Sequence, residues 1–260
     1  MELKCYIVDA FTRERFHGNP AAVCVLGAWL PDALMQSIAI ENNLSETAFV
    51  VHEGERWHLR WFTPGGEIDL CGHATLGTSF VLKNFVVPEM HRFVFQTMKN
   101  ELVVTEKGGR YTMKFPAYDL KPVPVTDTMV AATGARPHEA YLARDLLLIY
   151  DDERIVRDMT PDQAKLQTLD GLLVHVTAQG GATYDCVSRS FAPKLAVPED
   201  PVCGSGHCHI VPYWTKRLGN PAIHAYQASP RGGELWCRQD GKAVELAGDA
   251  VLYSEATLHL

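Results

Sequence analysis

From Gly72 to Leu82, within CGHATLGTSFVLKNF, the chain carries no charged residue and shows no polar face. A helix that is apolar all round has to be buried, so this segment predicts a helix enclosed by a curved sheet. The device occurs twice: CGSGHCHIVPYWTKRL, starting at Cys203, is a second apolar helix opened by Cys-Gly. Two buried helices need two sets of strands. In the first half LKCYIVDAF, AAVCVL, ETAFVV, WHLRWF, RFVFQT, ELVVTE and RYTMKF are rich in β-branched and aromatic residues, and in the second DLLLIY, LLVHVTA, TYDCVSRSF, HAYQAS, GELWCR, AVELA and AVLYSEA are their counterparts. Each half also offers one surface helix. LPDALMQSIAIENN has Pro31 at its first position and Leu34, Met35, Ile38 and Ala39 on one face, and TPDQAKLQTL has Thr160 as N-cap with Pro161 next. Between the halves, Pro116, Pro122 and Pro124 in FPAYDLKPVPVTDT predict an extended crossover with no regular element. The expected fold is α/β (α+β), with two pseudo-symmetric domains, 1–117 and 118–260, each a curled, mostly antiparallel sheet around a central helix. Pro212 sits awkwardly in this plan, because a proline inside a helix costs about 3 kcal/mol. The second central helix is expected to bend there or to start late.

Composition narrows the function. A chain of 260 residues, 47% apolar and 21% charged, is ordinary for one or two compact domains. The net charge of −7 leaves no basic stripe for a phosphate backbone, so nucleic acid is not an expected partner. No apolar run reaches the length that spans a bilayer, and MELKCYIVDAF reads as a strand rather than a signal peptide, so no membrane partner and a cytoplasmic location are expected. The seven cysteines, at 5, 24, 71, 186, 203, 208 and 237, contain no CxxC pair, which argues against a disulfide framework and a structural zinc site. Cys71, His73, Cys203 and His207 lack a chelating pair at zinc spacing, so no metal is expected. There is no GxGxxG, P-loop or GxSxG, which leaves nucleotide cofactors and serine hydrolase chemistry without support.

The paired Cys-Gly stretches suggest a site. The first turn of a buried helix offers unpaired N–H groups and the positive end of the helix dipole, which favour a carboxylate. Gly72, Gly204, Ser205 and Gly206 are small enough to let a ligand reach that backbone. If the halves face each other, Cys71 and Cys203 confront one another across a cleft, with thiol pKa values lowered by the helix N-termini. Such a pair can take a proton from one face of a carbon acid and return it on the other. Glu46, between a polar turn and an apolar strand, is a second candidate, a partly desolvated carboxylate suited to general base work. His73 and His207 stand in the first helical turns and are expected to donate to substrate oxygens. Taken singly, these cysteines are more often packing residues, Glu46 a solvated carboxylate, Asp200 a turn residue and Ser205 an N-cap.

GNPAAVC from Gly18, NLSETAFV from Asn43, FTPGGEIDLCGHATLG from Phe62, EDPVCGSGHC from Glu199 and QASPRGGEL from Gln227 follow one another along almost the whole chain. Together they resemble the PhzF-like isomerase family, named for phenazine biosynthesis. The resemblance implies the diaminopimelate epimerase fold, an active site in the cleft between the domains, a homodimer, and catalysis without metal or cofactor. It implies that Glu46 of the SET motif moves a proton between carbons, while His73, Asp200 and Ser205 hold the substrate and assist. Asn19, Gly72, Ala74, Gly204 and Gly206 are the substrate contacts it implies. Cys71 and Cys203 depart from the phenazine enzyme, which lacks thiols there, and match the paired catalytic cysteines of the related epimerases. The expected function is a cofactor-independent isomerase acting on a small carboxylate-bearing substrate through Glu46. The alternatives are a Cys71/Cys203 amino-acid racemase or epimerase, and a binding protein for small acids without turnover.

Overall fold

The computed structural model describes residues 1–54 and 56–260. In chain order the elements are β1 Glu2–Ala10, β2 Asn19–Leu26, α1 Asp32–Asn42, β3 Glu46–Glu53, β4 Arg56–Thr63, β5 Gly66–Ile68, α2 Gly72–Val81, β6 Arg92–Gln96, β7 Glu101–Lys107 and β8 Arg110–Pro116. They continue as β9 Lys121–Val123, α3 Asp127–Thr133, β10 Glu139–Leu142, β11 Leu146–Tyr150, α4 Glu153–Arg157, α5 Gln163–Leu166, β12 Val174–Gln179, β13 Cys186–Ala192 and β14 Val197–Asp200. The last are α6 Gly204–Leu218, β15 Ala222–Gln227, β16 Gly233–Asp240, β17 Ala243–Gly248 and β18 Ala250–His259. Two compact units result: Met1–Lys114 with Ala247–Leu260, and Phe115–Leu246. This differs from the linear division 1–117 and 118–260 at the C-terminus, where β18 pairs antiparallel with β1 over its whole length and so belongs to the first unit. No helix among the described residues is long and apolar enough to cross a membrane.

The first unit is mostly antiparallel. β1 lies between β18 and β2, β3 pairs with β4, β5 turns back on β4, and β6, β7 and β8 follow as a meander. Its two parallel pairs, β2 with β3 and β4 with β6, are joined through α1 and α2, as a parallel connection requires a crossover. Both faces of the sheet are covered. Leu3, Cys5, Ala22, Cys24, Phe49, Val51 and Phe62 pack with Met35, Ile38 and Ala39 of α1. Residues one step out of phase face α2: a Cβ at Gly77 would stand 3.6 Å from Val8 and 3.8 Å from Val23. α2 is buried nearly all round, as expected. Its hydroxyls tolerate this because Thr78 Oγ1 donates to Ala74 O at 2.7 Å and Ser79 Oγ to Thr75 O at 2.9 Å.

The second unit repeats the plan. β10 and β11 are antiparallel, β11 and β12 parallel, β12 and β13 antiparallel, β14 turns back on β13, and β13 runs parallel to β15, which pairs antiparallel with β16. α6 stands where α2 stood. Two expectations are corrected here, and the choice left open at Pro212 is narrowed. The crossover contains β9 and α3, the latter capped by Thr126 Oγ1 accepting from Met129 N–H and ended at Gly134 with φ 79°. The surface layer is α3, α4 and α5, and α5 is capped by Asp162 rather than Thr160, its carboxylate accepting from the amides of Ala164 and Lys165. α6 runs through Pro212 with no late start. The proline removes the donor for the Cys208 carbonyl, and Tyr118 N–H of the crossover supplies it at 3.1 Å.

Candidate active site

In the first unit the strand period places the chemistry. Phe49 and Val51 of β3 face α1, so Glu46, Ala48 and Val50 face α2, and Glu46 meets the first turn of that helix. His73 Nε2 lies 2.9 Å from Glu46 Oε2, and His73 Nδ1 lies 3.6 Å from Cys71 Sγ. All three side chains are largely buried. Burial alone would lower the His73 pKa, but Cys71 and Glu46 outweigh it and raise the imidazole well above its ordinary value. Glu46 Oε2 and His73 Nε2 form a close buried pair, and among the described residues no other group hydrogen-bonds either atom. Gly72 and Ala74 flank His73 in the same turn, and Asn19 opens β2 two residues before Ala21, the register partner of Glu46.

In the second unit Asp200, Cys203 and Ser205 converge on the first turn of α6. Cys203 is the N-cap: Gly206 N–H donates to its Sγ at 3.3 Å, and Ser205 Oγ is 3.4 Å away. Asp200 Oδ1 accepts from Val202 N–H at 3.1 Å and its carboxylate lies close enough to Cys203 to act on the thiol. Gly204 and Gly206 occupy the positions that Gly72 and Ala74 hold in the other unit. The lowered thiol pKa expected from the helix N-termini is overturned at both cysteines. Burial pushes Cys71 and Cys203 up, with the neighbouring carboxylates Glu46 and Asp200 pushing the same way. His207 also departs from expectation. Its Nδ1–H donates to Cys203 O at 2.8 Å, and burial lowers its pKa to about 4, so the neutral ring carries no proton on Nε2 to give to a substrate.

Beneath this turn lies a network that the sequence reading missed. A Cβ on Gly206 would meet His175 at 2.8 Å and Ser190 Oγ at 3.0 Å. His175 Nδ1 is 2.9 Å from Ser190 Oγ and its Nε2 is 3.0 Å from Asp145 Oδ2. Arg144 grips Asp145 through Nε at 3.0 Å and Nη2 at 2.6 Å, and Nη2 also donates to Ser205 Oγ at 2.9 Å. Burial alone would raise the Asp145 carboxyl, but His175 and Arg144 hold it below the usual carboxylate range. One signal was legible. Arg60-Trp61-Phe62 precedes Glu67 and Cys71, and Arg189-Ser190-Phe191 precedes Glu199 and Cys203, with Glu four residues before Cys in both. Each pair forms a bidentate fork, Arg60 to Glu67 at 2.7 Å twice and Arg189 to Glu199 at 2.7 and 2.8 Å, tying the short strand before each cysteine to its neighbour.

Two clusters have metal-ligand chemistry, Glu46 with Cys71 and His73, and Asp145 with His175 and His209. Neither fits an ion well. His73 turns different ring nitrogens to Glu46 and Cys71, and the Asp145 carboxylate already holds the Arg144 cation.

Comparison with known proteins identifies the family and the fold. The model of the "Phenazine biosynthesis-like protein" family matches residues 8–256. An uncharacterised isomerase of Pseudomonas aeruginosa is 46% identical over 261 residues, covering 100% of both chains. A crystal structure of a phenazine biosynthesis protein of the PhzF family from Enterococcus faecalis superposes with TM-score 0.98 at 50% identity, over 100% of both chains. A structure described as a predicted epimerase from Pseudomonas aeruginosa, at 18% identity and TM-score 0.77 over 98% of this chain and 99% of its own, shares the fold.

Proposed function

The chain belongs to the phenazine biosynthesis-like family, whose relatives carry the name isomerase, and from that premise we propose a metal- and cofactor-independent isomerase that moves a proton on a small carboxylate-bearing substrate. Glu46 takes the proton from one carbon and returns it at another. His73, 2.9 Å from Glu46, donates to the substrate oxygen on which negative charge develops. In the first unit Asn19 and the first-turn amides at Gly72 and Ala74 are the substrate contacts. In the second unit Asp200, Ser205 and the first-turn amide at Gly204 are a set of polar groups suited to a carboxylate. The observation that carries this reading is the buried pair itself: Glu46 Oε2 and His73 Nε2 stand 2.9 Å apart at the first turn of α2. A carboxylate and an imidazole held within reach of each other can take up and pass on a proton, which supports general acid–base work there. Moving the proton through a positioned carboxylate would supply about 10²- to 10⁴-fold of the rate, with positioning supplying more.

The pseudo-symmetry bears on the rival reading. Thr47 pairs with Phe62 as Val174 pairs with Phe191, so the equivalent of Glu46 is Leu173, and the equivalent of His73, two residues after the cysteine, is Ser205. Of the candidate catalytic side chains Glu46, His73, Asp200, Ser205, Cys71 and Cys203, the cysteines are the ones that recur in both units, which favours a two-thiol epimerase as the second reading. Its weakness is chemical: with both thiols pushed up by burial, neither is a ready thiolate base at neutral pH. The test is proton exchange in D₂O by NMR, with pooled cyclic unsaturated acids and pooled amino acids. Glu46→Gln is expected to keep the circular dichroism spectrum and lose exchange at least about 10²-fold, whereas Cys71→Ala and Cys203→Ala keep it. Exchange at an amino-acid Cα that survives Glu46→Gln and dies with Cys203→Ala would transfer the role to the thiols.

A further inference from the structure

Arg144 brings a cation to the first turn of α6, where it meets Ser205. Its neighbours Asp145, His175, Ser190 and His209 are fully buried, whereas its own side chain is 34% exposed. It is held from several directions. Asp145 takes Nε and Nη2, Ser205 Oγ accepts from Nη2, and the guanidinium lies over Tyr118 with Cζ 5.3 Å from the ring centroid. Tyr118 is itself stacked on His209 at 4.0 Å. Asp145 is fixed in turn by His175 Nε2 and by the Leu173 amide, which donates to Oδ1 at 3.3 Å. The contacts to Asp145 and Ser205 use the Nε and Nη2 edge, and the Tyr118 hydroxyl also interacts with the guanidinium. A long side chain normally loses rotamer freedom when it binds; here that freedom is already lost in the folded protein.

We infer that Arg144 is a substrate-binding residue, the guanidinium that receives the carboxylate of the substrate together with the Ser205 hydroxyl and the Gly204 and Ser205 amides. The role rests on the carboxylate-substrate reading above and names the group that recognises the carboxylate. Ser205 Oγ already accepts from Arg144, so its own proton is available to donate, to Cys203 Sγ at 3.4 Å or to a carboxylate oxygen in its place. A planar guanidinium beside a hydroxyl matches a planar carboxylate, which a lysine at the same place would meet only as a point charge.

The probe is benzoate, titrated into the full-length ¹⁵N-labelled protein while the amide signals of Gly204, Ser205 and Gly206 are followed. Wild-type protein is expected to show saturable shifts at these amides. Arg144→Lys, which keeps a cation beside Asp145, and Arg144→Gln should each weaken the apparent Kd about ten- to a hundred-fold, the scale of a charge-assisted hydrogen bond. Thermal unfolding of Arg144→Lys checks that the loss is local. Absence of these shifts in the wild type, or equal affinity in wild type and Arg144→Lys, overturns the role. Exchange in D₂O is run on the same samples. Arg144-dependent benzoate binding without any exchange keeps the carboxylate site and removes the proton-transfer reading; Glu46-dependent exchange with Arg144-independent binding does the reverse.

Discussion

Glu46 and His73 are close at 2.9 Å only because the period of β3 and the first turn of α2 coincide in space, and the chemistry of both follows from that coincidence. The other histidines show the opposite electrostatics. Burial lowers His207 and His209 to about 4, while an unfolded chain binds those protons near 6.5. Between these values the unfolded state takes up protons that the folded state refuses. Stability is therefore full above about 6.5 and falls toward pH 4, with a limiting slope of about 1.4 kcal/mol per pH unit for each ring. His73 has the other sign: its raised pKa gives stability present in acid and lost as pH rises through the folded value, so it does not oppose the loss below 6.5. Urea midpoints measured from pH 7 to pH 4.5 should fall, and His207→Gln should fall less steeply. A flat profile would mean that these rings are protonated in the folded chain.

At the scale of elements, the two central helices look alike in sequence and differ in what they touch. A Cβ at Gly77 of α2 would meet Val8 and Val23 at ordinary van der Waals distance, whereas one at Gly206 of α6 would strike the His175 ring at 2.8 Å. Gly77→Ala should stabilise the protein by about 0.5–1 kcal/mol through helix propensity. Gly206→Ala should destabilise it by about 1–3 kcal/mol through overpacking against the buried network. Chemical denaturation of the two variants checks the pair, and equal effects would contradict the different packing. The helices themselves were legible from their Cys-Gly openings and the apolar residues that follow. The Tyr118 N–H that rescues the Cys208 carbonyl was not, because the donor to a proline-orphaned carbonyl comes from a segment some ninety residues earlier in the chain. Likewise α3 was hidden by the prolines before it, although Thr126, Asp127 and Gly134 are ordinary start and stop signals.

For the molecule as a whole, the C-terminal strand is the test of how the chain is divided. Deleting residues 250–260 strips β1 of its β18 partner from Glu2 to Ala10, and the first unit should lose cooperative unfolding, read by circular dichroism. A fragment 115–246, with its own core around Leu146, Val176 and Phe191, should unfold cooperatively by itself. A folded fragment 1–117 would contradict the assignment of β18 to the first unit. What the sequence determined by itself was local or repeated: two apolar helices opened by Cys-Gly, strands of alternating and β-branched residues, and the motif blocks that mark the family, because burial and periodicity are written in neighbouring residues. The tertiary structure alone decided which unit the last strand joins, that Arg144 reaches Ser205, that His207 has no proton to give, and that the two candidate thiols are pushed up. Each of those depends on atoms far apart in the chain and on how much water the fold leaves around them, and neither quantity is encoded in any one stretch of residues.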